Sequence, residues 1–560
     1  MHGISREKAA AYWKENNVWM LGALVGIIAF ISIYGVQVLR VTYIDWLLGG
    51  GDLTQNYLGW CFYRSSDWSF PIGLMDRISW PNKVSIIFTD SVPLAAVFFK
   101  LFDRILPKQF QYFGLWGMLC FGAQGAFGAL LIYHYVRKKA EAVVGSLLFV
   151  ITPVMLAQVT VNMALGAQWL ILCSLYLGVR RKDMTEKNSA LRWGLVGILA
   201  AGIQLYFIPI CGFILLGFLL SDIIRRMHYR QDAAGFLAYL AGSVGMVALL
   251  GGFSHKHIPN GALLEQSGFN LNGLLNPQGW SQVISTLAVS GSNAEEGLAF
   301  AGTGVLLALA VGCAAWVLRF LYGFFVRKER KLKKYIWKKE ENGIAWLILT
   351  ILCVAVAVSP RIACGSDTIV QLGVPGWLLD LWQRISLCGR FIWPVVYLII
   401  LGSVVWMEKE MPWEAMTAVL LVIFAILQVT DGKWQLMQRQ VQFHTDYEYI
   451  SRLQDECWDG WAQDERIEHM VFVSYMVEDK ELIYELSVYA AENEMTVNDF
   501  GSACQTIRTA ASEDLLEALT NVREDTLYIY KGTDEGYCID PRMEYVKADG
   551  LIVGSVKQGE

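Results

Sequence analysis

Residues 91–102 read S-V-P-L-A-A-V-F-F-K-L-F. Whether this run crosses a membrane or lies along it decides the topology of everything after it. It is short for a span, which needs about 20 apolar residues to cross the hydrocarbon core. Runs at 18–40, 110–136, 142–160, 161–179, 190–206, 207–224, 234–252, 297–326, 343–358, 391–407 and 413–430 are better matched, giving about eleven candidate spans. Basic residues then set the orientation, because Lys and Arg are retained on the cytoplasmic side. They cluster at Arg6, Lys8 and Lys14, at Arg137-Lys138-Lys139, at Arg180-Arg181-Lys182, at Arg225-Arg226 and from Arg327 to Lys339. With that span count and a cytoplasmic N-terminus, every cluster falls inside. Counting 91–102 as a span throws Arg137-Lys138-Lys139 outside. The run therefore reads as a helix lying flat in the outer interface.

Composition agrees with a membrane protein. Of 560 residues 55% are hydrophobic and 17% charged, against roughly 25% charged in soluble domains. The deficit lies in residues 18–430, whereas 431–560 read like an ordinary soluble domain. A net charge of -5 leaves no strong electrostatic case for nucleic acid. The run Val18–Leu39 is too long for a signal-peptide core and lacks a small-residue cleavage site, so it reads as an uncleaved first span. The 11 Cys contain no C-x-x-C pair, and nothing supports a zinc site. Cys364 and Cys388 share one loop, where a disulfide is one option.

The expected fold is mainly α. A polytopic helix bundle occupies 1–430, with outer loops at 41–109, 253–296 and 359–390. A soluble α/β domain at 431–560 follows on the same outer side. Within it, His469 to Tyr475, Thr526 to Lys531 and Leu551 to Gly554 read as strands. Leu482, Leu486 and Tyr489 share a helical face, and Ser512-Glu513-Asp514 reads as a helix start. The domain has no G-x-G-x-x-G, P-loop or nucleophile elbow.

The span interiors hold almost no Asp, Glu, Lys or Arg, whereas ion-coupled transporters need ionisable groups at mid-depth. Gln124, Gln168 and Gln204 are neutral and suit bridges between helices. Chemistry is therefore expected in the outer loops. The first reads G-G-G-D-L-T-Q-N-Y-L-G-W-C-F-Y-R from Gly49 to Arg64. On a helix, Asp52, Asn56 and Trp60 (or Gln55) share one face, a set suited to a polyol: the acid accepts a hydroxyl proton, the amides bond hydroxyls, and the ring packs on a sugar. The plainer reading of Asp52 is a helix N-cap after glycine. Asp90, between Thr89 and Ser91, has the same two readings. Asp45, Asp67 and Asp76 carry no distinguishing pattern, and Arg64 suits either an anion or one of these acids. In the second loop Asn270, Asn272 and Asn276 are turn formers first, and His255 and His257 lack a third ligand. In the third, Arg361, Arg384 and Arg390 have the fork suited to a lipid phosphate, with snorkelling to the headgroups as the alternative.

The segments G-G-D-L-T-Q-N-Y-L-G-W-C-F-Y-R, W-S-F-P-I-G, F-T-D-S-V-P-L, N-L-N-G-L-L-N-P, E-E-G-L-A-F-A-G and C-G-R-F-I-W-P resemble an uncharacterised bacterial family of multi-span membrane proteins. The layout is similar to that of the GT-C glycosyltransferases, which use polyprenyl-phosphate-linked sugars. By that similarity Asp52 takes the place of the early-loop acid and Asp90 of a second acid. The resemblance implies a sugar transferase of the bacterial cell membrane acting on a glycan or protein acceptor in the cell envelope. This chain departs from the pattern in having no tight D-x-D or D-E pair, which leaves dependence on a divalent cation open. A flippase for lipid-linked glycans and a non-catalytic scaffold of envelope assembly are the competing readings.

Overall fold

A computed structural model of the chain describes residues 17–159, 161–227, 229–254, 267–290, 294–325, 342–385, 387–411, 414–444, 448–473, 479–499, 515 and 519–557. The N-terminal basic cluster, His255, His257, the run Arg327–Lys339 and the helix start at Ser512 lie outside the described residues.

The chain opens with α1 (Val18–Tyr34) and the first loop: α2 (Gly51–Ser65), a hairpin of β1 (Leu74–Ser79) and β2 (Asn82–Ser85), then α3 (Pro93–Lys100). Next come α4 (Phe113–Val136), α5 (Lys139–Val150), α6 (Pro153–Val159), α7 (Trp169–Val179), α8 (Glu186–Ile203), α9 (Phe207–Arg225) and α10 (Tyr229–Leu249). The later bundle holds α11 (Thr303–Phe325), α12 (Gly343–Ala357), a hairpin of β3 (Arg361–Cys364) and β4 (Asp367–Gln371), α13 (Gly376–Ile385), α14 (Trp393–Glu410), α15 (Glu414–Asp431) and α16 (Lys433–His444). Residues beyond these form α17 (Glu456–Gln463), β5 (His469–Phe472), α18 (Lys480–Glu492), β6 (Thr496–Val497), β7 (Thr526–Lys531), β8 (Met543–Ala548) and β9 (Leu551–Val556).

Among the described residues, five helices are long and apolar enough to cross a membrane: α4, α9, α10, α11 and α14 with the turn before it. Two bent pairs raise this to seven, α5–α6 at 49° and α15–α16 at 68°. Three shorter apolar helices, at Val18–Tyr34, Met163–Val179 and Gly343–Ala357, complete the apolar set. The eleven expected spans are thus not matched one for one. The run 142–160 breaks at Pro153, which has no N–H to give the preceding turn and clashes with its carbonyl. Many apolar side chains on the helices point outward, among them Leu191 at 73%, Leu237 at 68% and Leu318 at 67% exposure. Such faces belong in lipid, and the chain is a helical membrane protein.

Helix α1 docks on α4 along a seam of glycines. A Cβ built at Gly26 would stand 1.9 Å from the Phe121 carbonyl oxygen, and one at Gly22 would stand 2.4 Å from that of Gly125. Small residues four apart let two membrane helices approach backbone to backbone, replacing hydrophobic drive with packing. Gly26→Leu is expected to push α1 off α4, with a loss of about 1–3 kcal/mol or more from overpacking. A lower melting temperature in detergent would show it; an unchanged one would refute this account of the seam.

Two ends of the bundle differ in chemistry. At one, the basic turns meet. Arg181, buried, donates to both oxygens of Asp222 (2.9 and 2.7 Å) and to Asn342 Oδ1 (2.8 Å), Asn342 donates to Tyr135 Oη, and Lys138 pairs with Glu408 at 2.5 Å. The first loop and the start of α14 lie at the other end. Gln124 and Gln168 join α4, α14 and the start of α7 through Tyr397 Oη, which accepts from Gln124 at 2.8 Å and donates to Gln168 at 2.5 Å. The helix α3 is too short to cross a bilayer, at about 12 Å for its eight residues. Its Lys100 Nζ is pinned to the carbonyls of Tyr63 and Ser66, 2.7 Å each, at the C-terminal end of α2, where carbonyls favour a cation. Cys364 and Cys388 are both free thiols.

The C-terminal sheet has the order β6-β5-β7-β9-β8, with β6, β5 and β7 parallel and β9 and β8 antiparallel. Its helix α18 packs on α2. The first-loop hairpin anchors the same contact: Trp80 stacks on His469 with ring centroids 4.1 Å apart, and its backbone N–H donates to Val497 O at 3.0 Å.

Candidate active site

Asp52 is the second residue of α2. The chain enters this helix through Gly50 (φ +89°) and Gly51 (φ +70°), a left-handed pair that side chains rarely adopt. Gly50 stands at the N-cap with no side chain capping the helix; its N–H donates to Thr54 Oγ1 at 2.9 Å, which donates in turn to Leu47 O at 2.7 Å. Asp52 is therefore not the cap, and among the described residues its carboxylate accepts no hydrogen bond. Burial first, then the neighbouring Asp90 and Glu296, push its pKa up to about 6, against the pull of Arg390 and Lys480. A half-buried carboxylate titrating there is suited to take a proton near neutral pH.

Asp90 is held differently. Its Oδ2 accepts from Asn162 at 2.8 Å and its Oδ1 from Gln204 at 2.5 Å. Burial raises its pKa, and these two amides work against burial by favouring the charged form. It does not cap α3, which begins after Val92. Asp90 and Val92 both sit at left-handed φ, +57° and +52°, and for a β-branched Val such strain costs of order 1–3 kcal/mol. Packing sustains it: a Cβ at Gly59 of α2 would stand 2.3 Å from Ser91 Oγ, and Ser91 Oγ donates to Asn56 O at 2.7 Å. The 89–91 turn is thus pressed against the helix that carries Asp52.

Arg390, in the turn before α14, is buried and bidentate to Glu296, with Nε at 2.7 Å and Nη2 at 2.9 Å from its two oxygens. Its guanidinium lies 4.5 Å from the centroid of the Tyr206 ring. Asp52, Asp90, Glu296, Arg390 and Lys480 therefore share one field at the junction of the first loop, the bundle and α18.

Residues 23–433 match the model of a domain of unknown function, DUF6311, and residues 457–556 match the C-terminal domain of the same family. The chain belongs to the DUF6311 family. A search of the curated proteins finds no match to it. Among solved structures it is similar to the oligosaccharyltransferase AglB of the archaeon Archaeoglobus fulgidus, in complex with an inhibitory peptide and a dolichol-phosphate. The identity is 11%, the TM-score 0.47, and the match covers 94% of this chain and 70% of that one. The apo form of the Archaeoglobus fulgidus oligosaccharyltransferase gives 12% identity and a TM-score of 0.44, over 93% of this chain and 70% of that one.

The remaining candidates of the DUF6311 chain fall into other surroundings. Gln55 and Asn56 are buried in α2; Asn56 Oδ1 accepts from the Met163 N–H at 3.2 Å, tying α2 to the helical turn Met163–Gly166 that precedes α7. Trp60 is fully buried, its Nε1 donating to Phe110 O at 2.9 Å and its ring packed edge-on against Tyr112, so it shows no face to a sugar. Arg64 holds Asp103 at 2.5 Å and the carbonyls of Pro107 and Lys108 at 2.8 Å each, which staples the loop after α3 to the end of α2. Arg361 donates to Thr368 Oγ1 at 2.8 Å across its own hairpin. Arg384 faces Asp380 at 3.5 Å one turn back on α13. Neither enters the field around Asp52. Asn270 bonds both ways with Gly365, and Asn276 takes the N–H groups of Gln278 and Leu287, as turn formers do. Among the described residues no three His, Cys, Asp or Glu side chains gather to hold a metal ion.

Glu296, Asn162, Gln204 and Lys480 were not singled out as site residues by sequence. All four sit on segments remote from the first loop, with no local pattern to mark them.

Proposed function

We propose that this DUF6311 protein is a membrane-bound glycosyltransferase that moves a sugar from a polyprenyl-phosphate donor to an extracytoplasmic glycan or protein acceptor. The observation that carries the reading is Asp52, whose raised pKa stands beside an amide-held acid and two cations. In this mechanism the acceptor hydroxyl gives its proton to Asp52. The acceptor oxygen forms a bond to the anomeric carbon, with inversion. The bond from that carbon to the phosphate oxygen breaks, and the polyprenyl phosphate leaves with its electron pair. Arg390 is committed to Glu296, so Lys480, exposed at the start of α18, is the group that meets the phosphate. Asp90, held by the amides of Asn162 and Gln204, is the second acid of the site. In this reading the site faces outward from the bacterial cell membrane with the N-terminus inside, an orientation supported by the basic turns at the opposite end of the bundle, since Lys and Arg are retained on the cytoplasmic side.

The test uses purified protein in proteoliposomes with a polyprenyl-phosphate sugar and an envelope acceptor fraction. The expected result is labelled acceptor and released polyprenyl phosphate in equal amounts. Movement of intact lipid-linked sugar between leaflets without release would sink this reading in favour of a flippase. Lys480→Ala is expected to lower kcat/KM for the donor by roughly 10- to 100-fold, as loss of one charged hydrogen bond of roughly 1.5–3 kcal/mol requires. An unchanged kcat/KM would remove Lys480 from the donor site.

A further inference from the structure

A trough of about 380 Å³ runs along the bundle wall between α12 and α14. Trp346 and Thr350 of α12 form one side, Leu398 and Gly402 of α14 the other. Tyr135, at the end of α4, and Lys409 close it at the end where the basic turns meet. Its lining residues on α14 run from Val395 to Lys409, about 21 Å at 1.5 Å per residue. Lys409 lies roughly 24 Å along α14 from Trp393, next to Arg390.

Two features show what the trough fits. Its floor is a glycine inside a helix: a Cβ at Gly402 would meet nothing within 4 Å, so any larger side chain there would stand in the trough. Its walls are almost wholly apolar, while the exposed Lys409 stands at the membrane end, 6.0 Å from the centroid of the Tyr135 ring. An apolar channel of this length ending on a cation and an aromatic ring complements an amphiphile with a long hydrocarbon chain and an anionic head.

We propose that this trough is a binding site for one anionic phospholipid, its chain laid over Gly402 and its phosphate on Lys409. The site is independent of the transfer reaction assigned above. The experiment titrates phosphatidylglycerol and, separately, phosphatidylcholine into the detergent-solubilised full chain and reads bound lipid by native mass spectrometry. One phosphatidylglycerol is expected to be retained in preference to phosphatidylcholine. Lys409→Ala should cut phosphatidylglycerol retention about fivefold and leave phosphatidylcholine unaffected. Gly402→Leu should remove the retained lipid of either kind. Equal retention of the two lipids, or phosphatidylglycerol retention unmoved by Lys409→Ala, would overturn the proposal. So would a dimer that Gly402→Leu dissolves while lipid stays bound, since the trough would then seat a second copy. Lys409 is exposed, so its variant gives a decisive result even if Gly402→Leu fails to fold.

Discussion

Asp52→Asn is expected to lower sugar transfer by about 10²- to 10⁴-fold, the usual contribution of a positioned general base, while the protein keeps its fold. The sign of the pH effect separates this from structural damage. Asp52 titrates at about 6 in the folded chain against 3.8 for the free side chain. Below pH 6 it carries a proton and cannot accept another, so kcat/KM of the native protein should rise with pH through about 6 and level off. The Asn variant should lose that limb along with the rate. Stability moves the other way. A carboxyl whose folded pKa is raised binds more protons folded than unfolded between 3.8 and 6, so its contribution is lost as pH rises through that window. Removing the charge should leave the melting temperature at neutral pH equal or higher. Undiminished transfer by Asp52→Asn would take Asp52 out of the mechanism. A slow variant that also melts early would make the residue a structural one.

Glu296→Gln is expected to produce the largest loss of stability of any single charge removal at the site. The pair Arg390–Glu296 is largely shielded, with side-chain exposures of 7% and 22%. Breaking a buried pair from one side leaves the partner charge without compensation, which costs about 3–5 kcal/mol. The double variant Arg390→Leu/Glu296→Leu should recover much of that loss, because both charges then disappear together. The electrostatic consequence can be measured too. Glu296 raises the pKa of Asp52 and Arg390 lowers it. With Glu296 neutral, the limb of the pH profile should move to lower pH. A limb that stays at about 6 would show that the pair does not act on Asp52, and a melting temperature that does not fall would show that it does not hold the fold.

The parts of this site that sequence made visible are those with a local mark. Asp52 follows three glycines, Asp90 lies before an apolar run headed by proline, and Arg390 stands in C-G-R-F-I-W-P. The residues that hold these groups in place carry no such mark, because Asn162, Gln204, Glu296 and Lys480 reach the first loop only through folding. Trp60 illustrates the converse. It shares a helical face with Asp52 and Asn56, as a sugar-stacking ring would, and only burial against Phe110 and Tyr112 gives it a packing role. The span count shows where apolar length misleads. Hydropathy reads straight through 142–160, while Pro153 bends the chain by 49°. The glycine seam was written in G-A-L-V-G at 22–26, but its partner, Gly125, follows only from the packed structure.

The two amides on Asp90 bear on the order of events during synthesis. Asp52 and Asp90 leave the ribosome early, yet Asn162, Gln204, Glu296, Arg390 and Lys480 follow over the next several hundred residues. A nascent chain halted before Asn162 would carry Asp90 without either of its amides. Contacts this distant in sequence are slow to form, because loop closure comes before their reward. The field around Asp52 is therefore complete only once α18 has emerged and settled on α2, so amino-terminal fragments of this protein should insert into membrane and remain catalytically silent.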